Sequence, residues 1–138
     1  MYNAADRDAS GAIVGAGQVD VLDIRVGDCF DDENVYEEEV STLPAVPCSE
    51  PHDNEAYATF NATGSSYPGD DALWEIADEG CYNRFEQFVG RDYESSQLDY
   101  FAMTPTRESW AQNQRRIVCA LYDMDLKKLT GSMKDSKI

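Results

Sequence analysis

Chemistry in this chain is concentrated in residues 46–55, V-P-C-S-E-P-H-D-N-E, where the single histidine, His52, stands among Glu50, Asp53 and Glu55. Imidazole beside carboxylates is a donor set that suits zinc or manganese. Such a site needs three or four converging ligands, and neighbours in an extended chain point to opposite faces, so this stretch alone cannot close one. Pro47 and Pro51 fix φ and remove two backbone donors, which makes the stretch a rigid corner between extended segments. The expectation is therefore no metal and no cofactor. His52 hydrogen-bonds to hold the corner, and Glu50, His52 and Asp53 are candidate binding contacts. Ser49 lies near His52, but no G-x-S-x-G elbow surrounds it, so no catalytic nucleophile or base is assigned.

A second candidate patch, aromatic and basic, consists of Arg107, Trp110 and Arg116, with Arg115 beside them. It lies where the chain turns positive: residues 1–105 carry 4 basic and 23 acidic residues, whereas 106–138 carry 7 and 4. An anionic envelope polymer or an acidic partner would dock there. The plainer reading is Trp110 in a core with exposed arginines around it, because Arg115 and Arg116 open a strand and so face opposite ways. The whole chain has 11 basic and 27 acidic residues, a net charge of -16. A surface of that sign repels phosphate backbones, which argues against nucleic acid as a partner.

Four cysteines, Cys29, Cys48, Cys81 and Cys119, make an even count with no C-x-x-C and no clustering with histidine. Zinc and thioredoxin-like sites both require close pairs, so two structural disulfides in an oxidising space outside the cytoplasm are expected. No apolar run approaches the ~18 residues of a membrane span. An N-terminal signal, lipid anchor or membrane helix outside this sequence is the expected tether to the envelope.

The elements that must position these residues follow from periodicity, and at 138 residues they fit one domain. Residues 1–18, rich in Ala, Gly, Asp and Ser, read as a disordered leader or tether. Val19, Val21, Ile24 and Val26 predict a strand with a bulge at Leu22, running into Gly27-Asp28-Cys29-Phe30. An acidic hairpin loop covers 31–39. Extended chain over 40–46 is confined by Pro44 to a sheet edge or an irregular approach. Strands follow over 55–63, 98–103 and 115–122. Between the first two of these, Leu73, Ala77, Cys81, Phe85 and Phe88 share a helical face, with Asp70 or Asp71 as N-cap and Gly90 as stop. Gly80 inside that helix costs about 1 kcal/mol against Ala and is tolerable where a neighbouring backbone packs closely. Thr106 opens a short helical turn, and 126–138 is a polar tail. Cys81 on the helix face and Cys119 on a strand face can meet across a helix–sheet core. Cys29 and Cys48 both lie where strands give way to loops, so the expected pairing is Cys29–Cys48 and Cys81–Cys119. The domain proper then spans 19–125.

Taken together, Val26-Gly27-Asp28-Cys29-Phe30, Val46-Pro47-Cys48-Ser49-Glu50-Pro51-His52-Asp53, Cys81, Pro105 with Trp110, and Arg116-Ile117-Val118-Cys119 resemble the septum-formation domain family of actinobacteria. Family members often show Gly-Asp-Arg where this chain has Asn113, Gln114 and Arg115. The resemblance implies an extracytoplasmic domain, on a lipoprotein or behind a membrane helix, associated with cell division, and it carries over no catalytic residues.

The expected fold is α+β: an antiparallel sheet of about five strands with one main amphipathic helix packed on it and two disulfides. The expected function is a non-catalytic envelope module that binds an envelope or divisome protein or a cell-wall component. The rival is a metal-assisted hydrolase acting on an envelope substrate through His52.

Overall fold

The computed structural model describes residues 4–32 and 42–138. Most of the acidic loop expected over 31–39 lies outside the described residues. The described strands are β1 (Asp6–Arg7), β2 (Ile13–Gly15), β3 (Gly17–Asp20), β4 (Cys29–Phe30), β5 (Thr42–Val46), β6 (Asn54–Asn61), β7 (Leu98–Met103) and β8 (Arg116–Asp123). The helices are α1 (Asp70–Val89) and the short α2 (Arg107–Ala111). The fold is α+β, as expected. Six strands form an antiparallel sheet in the order β3-β5-β4-β6-β8-β7, and β1 and β2 form a separate hairpin.

The alternating apolar residues of β8 feed two cores. Ile117, Cys119 and Leu121 face α1 and pack on Leu73, Ala77, Cys81, Phe85 and Phe88, the stripe predicted from helical spacing. Val118 and Ala120 face the other way, into a smaller cluster with Phe30, Leu43 and the N-terminal residues Ile13, Val19 and Ile24. α1 ends where expected, Gly90 adopting the left-handed conformation at φ 84° while its N–H donates to the Glu86 carbonyl. Its N-cap is Gly69, so Asp70 and Asp71 sit inside the first turn, where their charge complements the helix dipole. A Cβ on Gly80 would overlap the ring of Phe60 on β6, so the close neighbour is a side chain.

Both expected disulfides close. Cys81–Cys119 joins α1 to β8 with Cα atoms 5.5 Å apart, and Cys29–Cys48 joins β4 to the corner at 5.2 Å. Thr106 caps α2 reciprocally with Ser109. Asn113, which stands where the family pattern has glycine, takes φ 69°, a conformation asparagine tolerates better than most residues.

Several expectations need correction. The strand expected through 19–26 stops at Asp20, whose carboxylate accepts the Leu22 N–H at 2.9 Å and starts a 3-10 turn over Val21–Asp23. That local hydrogen bond is what shifts the phase at Leu22. β5 is not a sheet edge, since it lies between β3 and β4. Pro44 is tolerated because its carbonyl, and hence its nitrogen, faces the side where β4 has already ended at Phe30; the carbonyl accepts from Asp31 N–H at 2.9 Å.

The two ends of the chain are also more ordered than their composition suggests. Residues 4–18 are not a tether: Arg7 grips Asp28 with two hydrogen bonds of 2.6 and 2.8 Å, and Ile13 enters the smaller core. The polar tail is docked. Leu129 and Met133 are buried, and the backbone of Leu129 exchanges hydrogen bonds of 2.8 and 2.9 Å with His52. No helix among the described residues is long and apolar enough to cross a membrane.

Asp28 is only 4% exposed and also accepts the Arg25 N–H. Removing its guanidinium partner strands a buried carboxylate, which in comparable pairs costs about 3 kcal/mol or more. Arg7→Ala is therefore expected to lower unfolding stability by about 3 kcal/mol in urea titrations, whereas a tether residue would change it by less than ~0.5 kcal/mol.

Candidate functional site

The corner at 46–55 is built from the turn in which Glu50 N–H bonds the Pro47 carbonyl, followed by the bridge to Leu129. That bridge buries His52 completely, at 0% exposure, and its Nδ1 lies 2.8 Å from the Glu50 carbonyl oxygen. His52 thus holds the corner from inside. It is not a surface contact, because the C-terminal segment that sequence reading leaves as a tail covers it. An imidazole so placed reaches no substrate unless that segment is displaced. Among the described residues the one set of ligand-bearing side chains with converging atoms is Cys29, Cys48 and Glu55, within 4.8 Å of one another, and it does not include His52. Its two sulfurs are joined in the disulfide.

Of the other corner residues, Glu50 is exposed and Asp53 half-buried. Asp53 contributes to a cleft of about 320 Å³ on the sheet face away from α1, floored by Phe101 and Tyr122 and edged by Asp32 and Asp123. Lys128 Nζ spans Asp53 and Asp31 at 2.9 and 3.2 Å, and these contacts raise its pKa above the ordinary lysine range.

The second patch divides. Trp110 is buried, 5% exposed, with Tyr67 edge-on at 5.9 Å and the Arg115 guanidinium 4.6 Å over its ring. Trp110 thus sits in the core as the plainer reading has it, but Arg115 is half-buried against its ring and not exposed. Arg116 turns the other way and donates to the Leu22 carbonyl at 2.7 Å and to that of Ile24, pinning the 3-10 turn. Arg107 is exposed and stacks over Tyr67 at 4.6 Å. The structure therefore groups Arg107 and Trp110 around Tyr67 and sends Arg116 to the opposite face.

Arg107 lines a groove of about 740 Å³ between the first turn of α1 and the β7–α2 connection, with Tyr67, Asp70, Trp74, Thr104, Thr106 and Glu108. Trp74 is 54% exposed there. Sequence reading passed over it, although its position beside Leu73 and off the apolar stripe signals an indole with no place in the core. Groove and cleft lie toward opposite ends of the sheet, since Thr104 follows the end of β7 paired near Val118 and Asn54 pairs with Tyr122.

Sequence reading also missed Glu55 as a buried group. It is 0% exposed and accepts from the Ser132 hydroxyl at 2.6 Å and the Met133 N–H at 2.7 Å. Burial pushes its carboxyl above the ordinary value of 4.5, opposed by those two hydrogen bonds.

A family model described as septum formation matches residues 7–135. No curated protein and no solved structure matches the chain. The matched span starts at Arg7 and ends beyond Met133, taking in both segments that sequence reading placed outside a domain of 19–125.

The raised Glu55 pKa means that the folded chain binds this proton more tightly than the unfolded one. Its contribution to stability is full below pH 4.5 and is lost as pH rises through the raised value. Glu55→Gln cannot ionise, so its stability relative to wild type is expected to rise across that window. Urea unfolding of both proteins from about pH 4 to 8 measures this, and parallel curves would assign the titration to another group.

Proposed function

This chain belongs to the septum-formation family, and from that premise we propose that it is a non-catalytic module that holds a wall polymer at the division septum. Its two disulfides support a location outside the cytoplasm. An anchoring segment outside this sequence would keep it near the membrane.

The observation that carries the binding reading is Trp74. An indole more than half exposed, opening on a groove with the Tyr67 ring beside it, leaves apolar surface that a ligand can cover. The ligand's chemistry follows from the rest of the lining. Protein interfaces are depleted of charge at their centres, whereas here Asp70, Arg107 and Glu108 share the groove with two threonine hydroxyls. Opposite charges close together suit an uncharged ligand dense in hydroxyls, which can donate to the carboxylates and accept from the guanidinium while its apolar face lies on the indole. A sugar chain has that character. A polyanion does not, because the chain's charge of -16 repels it.

The rival hydrolase reading requires an accessible imidazole, and the burial of His52 counts against it. Envelope or divisome proteins remain the other class of partner to test.

Co-sedimentation with purified, peptide-free wall glycan tests the proposal. Trp74→Ala and Arg107→Ala are each expected to weaken retention about tenfold, equivalent to ~1.4 kcal/mol, with stability within ~0.5 kcal/mol of wild type. Equal retention of wild type and Trp74→Ala, or capture of a protein partner in place of glycan, would overturn it.

A further inference from the structure

The two disulfides differ in a way their shared structural role does not require. Cys81 and Cys119 are both 0% exposed, enclosed between α1 and β8. In the other bridge Cys29 is 0% exposed while Cys48 is partly open to solvent, in the turn that carries the exposed Ser49 and Glu50. Beside this second bridge lies the fully buried Glu55, cross-strand partner of Cys29, with a carboxylate oxygen within 4.8 Å of both sulfurs. Partial exposure of Cys48 favours attack there, and an acid beside the buried Cys29 can neutralise a leaving thiolate that burial would otherwise disfavour.

We propose that Cys29–Cys48 is an exchange site for an external dithiol, with Cys48 the sulfur attacked and Glu55 the proton donor to Cys29. A thiolate of the dithiol attacks Cys48 Sγ, a new S–S bond forms, and the Cys29–Cys48 bond breaks with its electron pair on Cys29. A bare thiolate in an apolar interior is unfavourable, and transfer of the Glu55 proton converts it to a neutral thiol. The second thiol of the dithiol then attacks its own partner sulfur in the mixed disulfide and releases Cys48. Two electrons pass from the dithiol to the protein disulfide, the dithiol leaves oxidised, and the protons it gives up reprotonate Glu55 and Cys48. Among the described residues the groups facing Glu55 are the two sulfurs, the Ser132 hydroxyl and the Met133 N–H, and no charged side chain there contributes to its protonation. The Cys81–Cys119 bridge, fully buried and with no carboxylate converging on its sulfurs among the described residues, serves as an internal control.

Graded dithiothreitol, alkylation and peptide mass mapping of the whole chain give the first test. Cys29 and Cys48 are expected to be labelled at least about tenfold faster than Cys81 and Cys119, and a monothiol is expected to be trapped on Cys48. Simultaneous opening of both bridges, earlier opening of Cys81–Cys119, or trapping on Cys29 would overturn the proposal without any variant being needed. The second test compares wild type with Glu55→Gln across pH, as a ratio that cancels ionisation of the attacking thiol. Exchange in the variant is expected to be about tenfold slower at low pH, the small end of general-acid effects, and equal to wild type once Glu55 has ionised. Ser132→Ala keeps the acid but removes a hydrogen bond that lowers its pKa, so its ratio to wild type is expected to stay pH-dependent with the transition moved to higher pH. A ratio that does not change with pH, or a Ser132→Ala profile like that of Glu55→Gln, would remove Glu55 from the reaction. If Glu55→Gln does not hold its fold, Glu55→Asp, which keeps an acid but sets it back by one methylene, is expected to exchange more slowly than wild type at low pH and equally once the acid has ionised; equal rates at every pH would remove Glu55 from the reaction.

Discussion

Everything in this fold leans on β8. It is hydrogen-bonded on both sides, to β6 and β7, and its alternating residues supply both cores. The Cys81–Cys119 bridge fastens α1 to it across a sequence separation of 38. In the chain-entropy account a loop of that size contributes about 4 kcal/mol by restricting the unfolded chain. A domain of 138 residues buries only about two-thirds of its unfolded surface, so a covalent tie between helix and central strand supplies a large part of a modest total.

The second constraint is the satisfaction of buried carboxyl groups. Asp28 and Glu55 both lie inside an already acidic molecule, and each is answered by a chain terminus. Asp28 receives Arg7 from the N-terminal hairpin, and Glu55 receives the Ser132 hydroxyl and Met133 N–H from the C-terminal segment. A buried carboxylate without such partners costs several kcal/mol, so these contacts commit both ends to the fold. The family match over 7–135 has the same extent.

The same packing explains where binding surface remains. Within the corner at 46–55, His52 and Glu55 are taken up by structure, since both face the C-terminal segment, while residues 48–50 and Asp53 stay open to solvent. Among the described residues, two open surfaces lie toward the ends of the sheet, where strands give way to connections: the groove beside Trp74 and the cleft beside Asp53. Connections of this kind, presented by a rigid sheet, are the usual carriers of recognition.

The sequence alone determined the features written in local periodicity and in residue type. α1 follows from Leu73, Ala77, Cys81, Phe85 and Phe88; β7 and β8 follow from alternation; and the disulfide pairing follows from which element carries each cysteine. The G-D-C-F and V-P-C-S-E-P-H-D runs indicated the family. Tertiary structure decided what depends on partners far along the chain. A composition rich in Ala, Gly, Asp and Ser does not report that Arg7 meets Asp28, nor does a polar tail report that Leu129 covers His52. The burial of the histidine, the place of Pro44 inside the sheet and the exposure of Trp74 were settled in the same way, because burial belongs to the assembled surface and no window of neighbouring residues contains it.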